Sequence, residues 1–294
     1  RCTYGSGRGS AYALPTPLIK NGILNDNSNP VRQIRSRNTG GAFPAPPGIV
    51  VIHFTAGGSA ASSANWFASR ENTNSSAHVV VDRDGSIIQC VNFNDVAWHA
   101  GKSSWRGLAG LNKHSIGIEI ANWGALRGGA NGWYNAAGQK VDNVVMAVHR
   151  NGNPDGSRTP IGWEAYPAAQ FEAVVALVRA LREVYPIAEI VGHDDIAPVR
   201  KSDPGPAFDM VRFRQRALGG RDQNGANVGV VRSPGGLNLR SGPGTNFAVV
   251  QLLADGSKVM PMGVNGSWIE VTTLDAAGKP SKTGWVHSHY LDLD

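Results

Sequence analysis

Three apolar stretches predict buried strands in the first two thirds of the chain. Residues 49–54 read Ile-Val-Val-Ile-His-Phe, and residues 115–120 read Ser-Ile-Gly-Ile-Glu-Ile. Residues 77–91 carry two apolar runs on either side of Asp84-Gly85, a pair that favours a tight hairpin turn. Because the first run is continuous rather than alternating, it is typical of a strand covered on both faces.

Helical spacing separates these runs. Residues 62–70 contain Trp66 and Phe67, and Ser62 or Ser63 would suit the N-cap position. Residues 167–185 place six apolar side chains on one helical face, which predicts an amphipathic helix. Strands and helices mixed in this way predict an α/β domain over residues 46–216, with a mixed central sheet flanked by helices.

The pattern changes on either side of this domain. Residues 217–229 form a polar, glycine-rich linker, and residues 230–294 show short β-type runs between turn signals. There Leu237 and Leu239 alternate with polar neighbours, which predicts a small all-β barrel. Residues 1–45 have no sustained period and predict an irregular arm.

Composition limits the class of protein. The 294 residues suggest two domains, and 41% hydrophobic residues suffice for real cores. No apolar run approaches the roughly 18 residues of a membrane helix, so we expect no membrane span. The two cysteines, Cys2 and Cys90, cannot build a disulfide framework or a thiolate-only zinc site, and whether they pair stays open. Any metal must therefore bind histidines and carboxylates.

The net charge of +6 lies almost wholly in the arm. Residues 1–45 hold six basic residues and one acidic residue, whereas residues 46–227 hold 17 against 16 and residues 228–294 hold five of each. Nucleic-acid binding would rest on this charge alone, and both predicted domains are nearly neutral. We therefore expect no nucleic-acid partner.

Three residues offer a metal-ligand set. His53 ends a predicted strand, and Asp203 follows His193 by ten residues. Two imidazoles and one carboxylate are a typical ligand set for a catalytic zinc ion, which keeps a further position for water. Spacing alone does not assemble residues from distant segments, and a single histidine more often has a structural role.

Five motifs, in this order, resemble one family. Together they are similar to the zinc-dependent type-2 N-acetylmuramoyl-L-alanine amidases, which are related to peptidoglycan recognition proteins, and the last motif is especially similar to the AmpD-like branch. The resemblance covers residues 46–216. The motifs are Val51-Ile52-His53, Ala77-His78 before Asp82-Arg83-Asp84-Gly85, Trp98-His99-Ala100-Gly101, Ser115 to Glu119, and Gly192 to Pro206.

The resemblance implies a set of site residues. One zinc ion would be bound by His53, His193 and Asp203. Glu119 would act as general base and Lys201 would stabilise the oxyanion. The substrate would be contacted by Trp98, His99 and Trp105.

Two departures from the family limit what is transferred. Ala77 stands where some phage relatives have a catalytic tyrosine, which puts more weight on Glu119. Phe54 and residues 110–114 replace an asparagine and an arginine that hold substrate in AmpD-like enzymes. The resemblance therefore does not predict how individual groups of the substrate are bound. His78 is expected to be structural, and His114 and His149 are expected at the surface.

The C-terminal runs resemble bacterial SH3-like domains. The similar segments are residues 237–244, 266–271 and 283–291. The resemblance implies a barrel that binds cell-wall peptides, the alternative being a barrel that only packs against the first domain. His287 and His289 lack a third ligand, so we expect no metal there.

The combined expectation is a monomeric peptidoglycan hydrolase. It would cleave the amide between N-acetylmuramic acid and the L-alanine of the stem peptide, with peptidoglycan or muropeptides as partners. The alternative is a non-catalytic peptidoglycan-binding receptor of the same fold. No signal segment is visible, but a wall-binding module favours an exported, secreted or phage-borne protein over a cytoplasmic recycling enzyme.

Overall fold

A computed structural model describes residues 17–26, 29–129, 131–218, 228–265, 267–275 and 280–292. Six strands form the central sheet, and they are β1 (Arg32–Gln33), β2 (Ile49–Phe54), β3 (Val79–Val81), β4 (Ile87–Gln89), β5 (Ser115–Ile120) and β6 (Glu189–Gly192). Their order across the sheet is β6-β2-β5-β3-β4-β1. All neighbours are parallel except the β3–β4 hairpin, so the sheet is mixed, as predicted.

Helices cover both faces of this sheet. Helix α1 (Ala60–Ala68) packs against β3 and β4 through Ala64 and Phe67, whereas α2 (Ala168–Arg182) covers the other face. Because side chains of β2 are buried on both faces, its sequence is a continuous apolar run. Two further helices follow, α3 (His193–Ile196) and α4 (Met210–Leu218).

The start of α1 differs from the prediction. The helix begins two residues earlier than the predicted segment, and the Ser59 side chain accepts the backbone N–H of Ser62 as its N-cap. Ser62 and Ser63 lie inside the first turns. Three serines close together all suit a cap, and the spacing alone did not distinguish between them.

Part of the predicted irregular arm is ordered against the domain. Its Leu24 is fully buried in the core beside α2, and the arm supplies β1 at the edge of the central sheet. Residues 1–16, with Cys2, lie outside the described residues. The arm's remaining strands are Leu18–Lys20, Ile23–Asp26, Asn29–Pro30 and Thr39–Ala42, the last paired with Asp95–Ala97.

Residues 121–166 form an insertion that the hydrophobic pattern did not predict. Bidentate hydrogen bonds of 2.9 Å join the Arg83 guanidinium to the Glu164 carboxylate and fix its end. His149, expected at the surface, is buried and lies 3.0 Å from the Asp194 carboxylate, so that prediction was wrong. The insertion's strands are Arg127–Gly129, Gly132–Tyr134, Lys140–Val141, Val144–Ala147 and Ile161–Glu164; a separate hairpin joins Ser104–Trp105 to Leu108–Ala109.

The C-terminal domain is all-β, as predicted, and its described strands form one antiparallel sheet of seven strands. Leu237 and Leu239 are buried in its core while Asn238 is exposed, which confirms the alternation. Most of the predicted linker, residues 219–227, lies outside the described residues. Across that part of the chain which the structure describes, no helix is long and apolar enough to cross a membrane. The strands are Gly229–Val231, Leu237–Arg240, Val249–Leu253, Lys258–Asn265, Trp268–Leu274, Pro280–His287 and Leu291–Asp292.

Candidate metal centre and active site

The candidate site lies at the carboxyl ends of the parallel strands. His53 near the end of β2 is paired in register with Glu119 of β5. On the other side of β2, strand β6 ends at Gly192 and His193 follows directly as the first residue of α3. Since parallel strands end at one edge of a sheet, three separate segments bring these side chains together.

Asp203 reaches the same edge from the loop after α3. Its backbone carbonyl accepts the N–H of Asp194, at 2.8 Å. The next carbonyl, that of Pro204, accepts the Tyr166 hydroxyl at 2.8 Å. These bonds hold the loop beside the histidines.

The three predicted metal ligands converge on one point. His53 Nδ1, His193 Nδ1 and Asp203 Oδ2 are each 2.9 Å from the other two. All three residues are buried, with at most 6% of their surface exposed. The arrangement could hold a metal ion.

The protonation of this cluster fits a cation. Burial, and then the neighbouring His193, lower the pKa of His53 to about 4, so this imidazole is neutral near pH 7. Neutral imidazoles and a carboxylate are the protonation states that a zinc ion requires.

In both His53 and His193 the ring nitrogen that faces away from the cluster, Nε2, lies against residues 99–100. His53 Nε2 is 3.0 Å from His99 Nδ1, and His193 Nε2 is 3.2 Å from the Ala100 carbonyl oxygen. Arg200 donates to the same oxygen at 2.9 Å and lies farther, 3.4 Å, from the His193 nitrogen. We therefore place the His193 proton on Nε2, where it points to the Ala100 carbonyl.

This proton placement supports the metal interpretation. When both Nε2 atoms donate outward, both Nδ1 atoms and Asp203 Oδ2 present lone pairs to one another at 2.9 Å. Lone pairs at that distance repel unless a cation lies among them. The donor set and its orientation thus fit zinc.

Glu119 is the buried carboxylate beside the cluster. Its Oε2 atom has no hydrogen-bond partner among the described residues. Burial raises the pKa of this carboxyl well above its ordinary value, and the negative charge of Asp203 raises it further. The positive charge of Lys201 acts in the opposite direction. A buried, unpartnered carboxyl of this kind is available for proton transfer.

A cleft of about 440 Å³ opens onto these groups. Glu119, Lys201, His193 and Asp203 line its floor. The predicted substrate residues Trp98 and His99 line it as well. Trp105 is not brought to this cleft, because its indole N–H donates to Glu189 Oε2, 2.6 Å away, at the start of β6.

Part of the cleft wall was missed by the sequence reasoning. Trp66 of α1 lines the cleft and is 50% exposed, although the pattern assigned it only to a helix. The sequence did contain a signal for the position of Trp66, because adjacent residues on a helix point about 100° apart and Trp66 and Phe67 cannot both face the core. Phe67 is buried in the core beside Ala60 and Ala64, so Trp66 points away from that contact. Serines complete the wall, at positions Ser62, Ser63, Ser75 and Ser76.

His78 lies near the site but is bonded only to backbone. Its Nε2 donates to the Asp95 carbonyl at 2.9 Å, its Nδ1 accepts the Gly117 N–H at 3.0 Å, and Phe43 and Phe93 stack on its ring. Burial lowers its pKa to about 4. Both nitrogens are therefore satisfied only in the neutral form, which agrees with the expected structural role.

We predict that His78 makes the protein less stable in acid. Between pH 6.5 and about 4 the unfolded chain binds a proton at His78 that the folded chain does not, so stability falls as the pH falls through this window. The expected slope from this group is up to about 1.4 kcal/mol per pH unit. Urea unfolding of wild type and His78→Gln across this window measures it, and equal slopes for both proteins would contradict the assignment.

Comparison with known proteins gives two family matches. Residues 43–206 match the family model described as N-acetylmuramoyl-L-alanine amidase. Residues 235–292 match the one described as bacterial SH3 domain.

Individual relatives are each similar to part of the chain. The 1,6-anhydro-N-acetylmuramyl-L-alanine amidase AmpD of Escherichia coli K12 is 37% identical over 151 residues, which are 51% of this chain and 62% of that protein. The N-acetylmuramoyl-L-alanine amidase AmiD of the same organism is 31% identical over 176 residues, 58% of this chain and 53% of that protein. A crystal structure of a selenomethionine AmpD derivative shares 29% identity, with a TM-score of 0.47, over 68% of this chain and 98% of that one. The chain thus spans less than two thirds of the curated relatives named.

Proposed function

The chain belongs to the N-acetylmuramoyl-L-alanine amidase family, and we propose that it hydrolyses the amide bond between N-acetylmuramic acid and the L-alanine of the peptidoglycan stem peptide. The AmpD and AmiD relatives are named as amidases of this kind. The observation that carries the proposal is the convergence of His53, His193 and Asp203 beside the buried Glu119, at an open cleft that His193, Asp203 and Glu119 line.

His53, His193 and Asp203 would hold one zinc ion, which would supply Lewis-acid polarisation of the amide carbonyl and a lowered pKa of water at the site. The remaining chemistry falls to two side chains on the floor of the same cleft, Glu119 and Lys201.

Glu119 moves the proton. Its carboxylate accepts a proton from the attacking water and then delivers it to the nitrogen of the leaving L-alanine. The position of Glu119 suits proton transfer because the residue is paired in register with His53. In addition, Glu119 Oε2 accepts no hydrogen bond from any of the described residues.

Lys201 stabilises the charge that forms on the carbonyl oxygen. Lys201 lines the cleft and precedes Asp203 by two residues in the sequence. Its positive charge lowers the pKa of both Glu119 and His53. A fixed positive charge beside a developing oxyanion lowers the barrier because it interacts more strongly with the transition state than with the substrate.

The same argument weighs against the receptor alternative. A binding-only protein of this fold needs neither a complete ligand triad nor an unpartnered buried carboxyl. Here both are present in one site. We therefore favour the enzyme.

We also propose that the barrel domain binds peptidoglycan and that the protein acts at the cell envelope or outside the cell. The bacterial SH3 match and the resemblance to wall-binding modules support this. Tethering the enzyme to its polymer would raise its local concentration on the wall.

One experiment tests hydrolysis and wall binding together. Dye-labelled sacculi are incubated with the full chain and then sedimented. We expect dye in the supernatant, in large molar excess over protein, and protein in the pellet. Pelleted protein without released dye would establish the receptor instead, and protein that stays in the supernatant would overturn the role of the barrel.

Trp66 provides a prediction for substrate binding. Its half-exposed ring forms one wall of the cleft and offers a face to a sugar or peptide group. Since aromatic contacts contribute about 0.5–1.5 kcal/mol, Trp66→Ala is expected to raise KM about two- to tenfold with kcat nearly unchanged. Steady-state kinetics on a soluble muropeptide measure this. Trp105→Phe, outside the cleft, serves as control, and an unchanged KM in the Trp66 variant would contradict the prediction.

A further inference from the structure

His99 lines the cleft, yet both of its ring nitrogens face groups of the protein. Its ring lies behind His53, with His99 Nδ1 3.0 Å from His53 Nε2, and only 9% of the residue is exposed. Its other nitrogen, Nε2, is 3.3 Å from the Ser115 carbonyl oxygen. Both nitrogens are thus used inside the protein.

The partners of His99 determine where its proton is. A carbonyl oxygen can only accept, so the proton of His99 is on Nε2, facing Ser115. The Ser115 hydroxyl, also 3.3 Å away, donates to the Leu111 carbonyl at 2.6 Å and is likewise an acceptor toward His99. His99 Nδ1 therefore carries a lone pair and accepts from His53 Nε2.

The ring of His99 is held in this orientation by its surroundings. A Cβ atom on Gly117 would lie 2.3 Å from His99 Cγ, so the ring packs directly on the backbone of β5. The side-chain oxygen of Asn112 accepts the backbone N–H groups of both His99 and Ala100, at 3.0 and 2.7 Å. Ring and backbone are thus both held in place by groups of the protein itself.

We propose that His99 is a positioning residue for the metal site. By accepting the Nε2 proton of His53, it fixes the tautomer in which His53 Nδ1 presents its lone pair to the metal. The Ala100 carbonyl has the matching role for His193. One short segment thereby orients both imidazoles. This inference rests on the proposed metal site but is independent of which amide is cleaved.

Zinc affinity is the direct readout. Replacing His99 with Leu removes the acceptor, and loss of such a partner typically weakens metal binding about 10–100-fold. His99→Gln retains a carbonyl acceptor and should lose less. His78→Gln is the matched control, a neighbouring buried histidine whose hydrogen bonds go only to backbone. Competition against a chromophoric zinc chelator measures all four proteins, and urea unfolding of the metal-free forms checks that they fold.

A second measurement needs no variant. In the zinc-loaded wild-type protein, ¹⁵N NMR of the imidazoles should show His53 with its proton on Nε2. A His53 Nε2 without a proton would overturn the inference, as would a His99→Leu protein that binds zinc as tightly as wild type. A change of KM in that variant with unchanged zinc affinity would assign His99 to substrate binding instead. If the wild-type chain binds no zinc, the proposed metal site itself is wrong.

Discussion

Replacing Glu119 with Gln is expected to lower kcat on peptidoglycan by about 10²–10⁴-fold, the usual contribution of a positioned general base. The amide cannot accept a proton from water, yet it has nearly the shape of the carboxyl it replaces. Its neighbour in register, His53, keeps its place in β2. Zinc affinity should therefore change little, and dye release with parallel zinc titration measures both quantities.

The control for this variant is Glu71→Gln, which removes an exposed carboxylate away from the cleft floor. It should retain wild-type kcat. An active Glu119→Gln protein would show that Glu119 is not the base. A Glu119→Gln protein that no longer binds zinc would show instead that the carboxyl supports the metal site.

Asp203→Ala should abolish both zinc binding and hydrolysis. The substitution removes one of three ligands and leaves two buried imidazoles that lie 2.9 Å apart without their carboxylate. Since loss of an outer partner already costs about 10–100-fold in affinity, loss of a ligand should cost more than about 100-fold. Chelator competition measures the affinity.

Metal removal from the wild-type protein should reproduce this effect. Activity is expected to vanish in chelator and return when zinc is added, whereas Asp203→Ala should not recover. Asp142→Ala, at an exposed carboxylate, is the matched control. Activity that persists in wild type after complete zinc removal would contradict the metal assignment.

Two of the three strands that carry the site were predicted from the sequence, whereas β6, which precedes His193, was not. Residues 49–54 are an apolar run interrupted only by His53, and residues 115–120 have isoleucine at every second position; the two segments correspond to β2 and β5 as the structure has them. Their parallel pairing was not visible in the residues themselves. It is this register that sets His53 beside Glu119.

The ligand set was suggested by residue chemistry, but its assembly was not. His193 and Asp203 are ten residues apart, and His53 is 140 residues from His193. Only the resemblance to the amidases predicted that these three residues form one site. The structure places the three ligand atoms together, and their role in binding zinc stays a prediction for the experiments above.

The features that the sequence missed depend on tertiary contacts. The two-residue strand β1 is too short to show a period, so the arm was predicted to be irregular. His149 is buried because the insertion folds back onto Asp194, a contact between residues 45 positions apart. Trp66 lines the cleft because Phe67 takes the core position of that turn.

Product analysis tests the central claim most directly. Sacculi digested with the full chain are separated and analysed by mass spectrometry. Cleavage of the proposed amide predicts free stem peptides with an L-alanine amino terminus and glycan strands that keep the N-acetylmuramic acid lactyl carboxylate. New sugar reducing ends, or peptide fragments cut within the stem with L-alanine still attached to the sugar, would contradict the account.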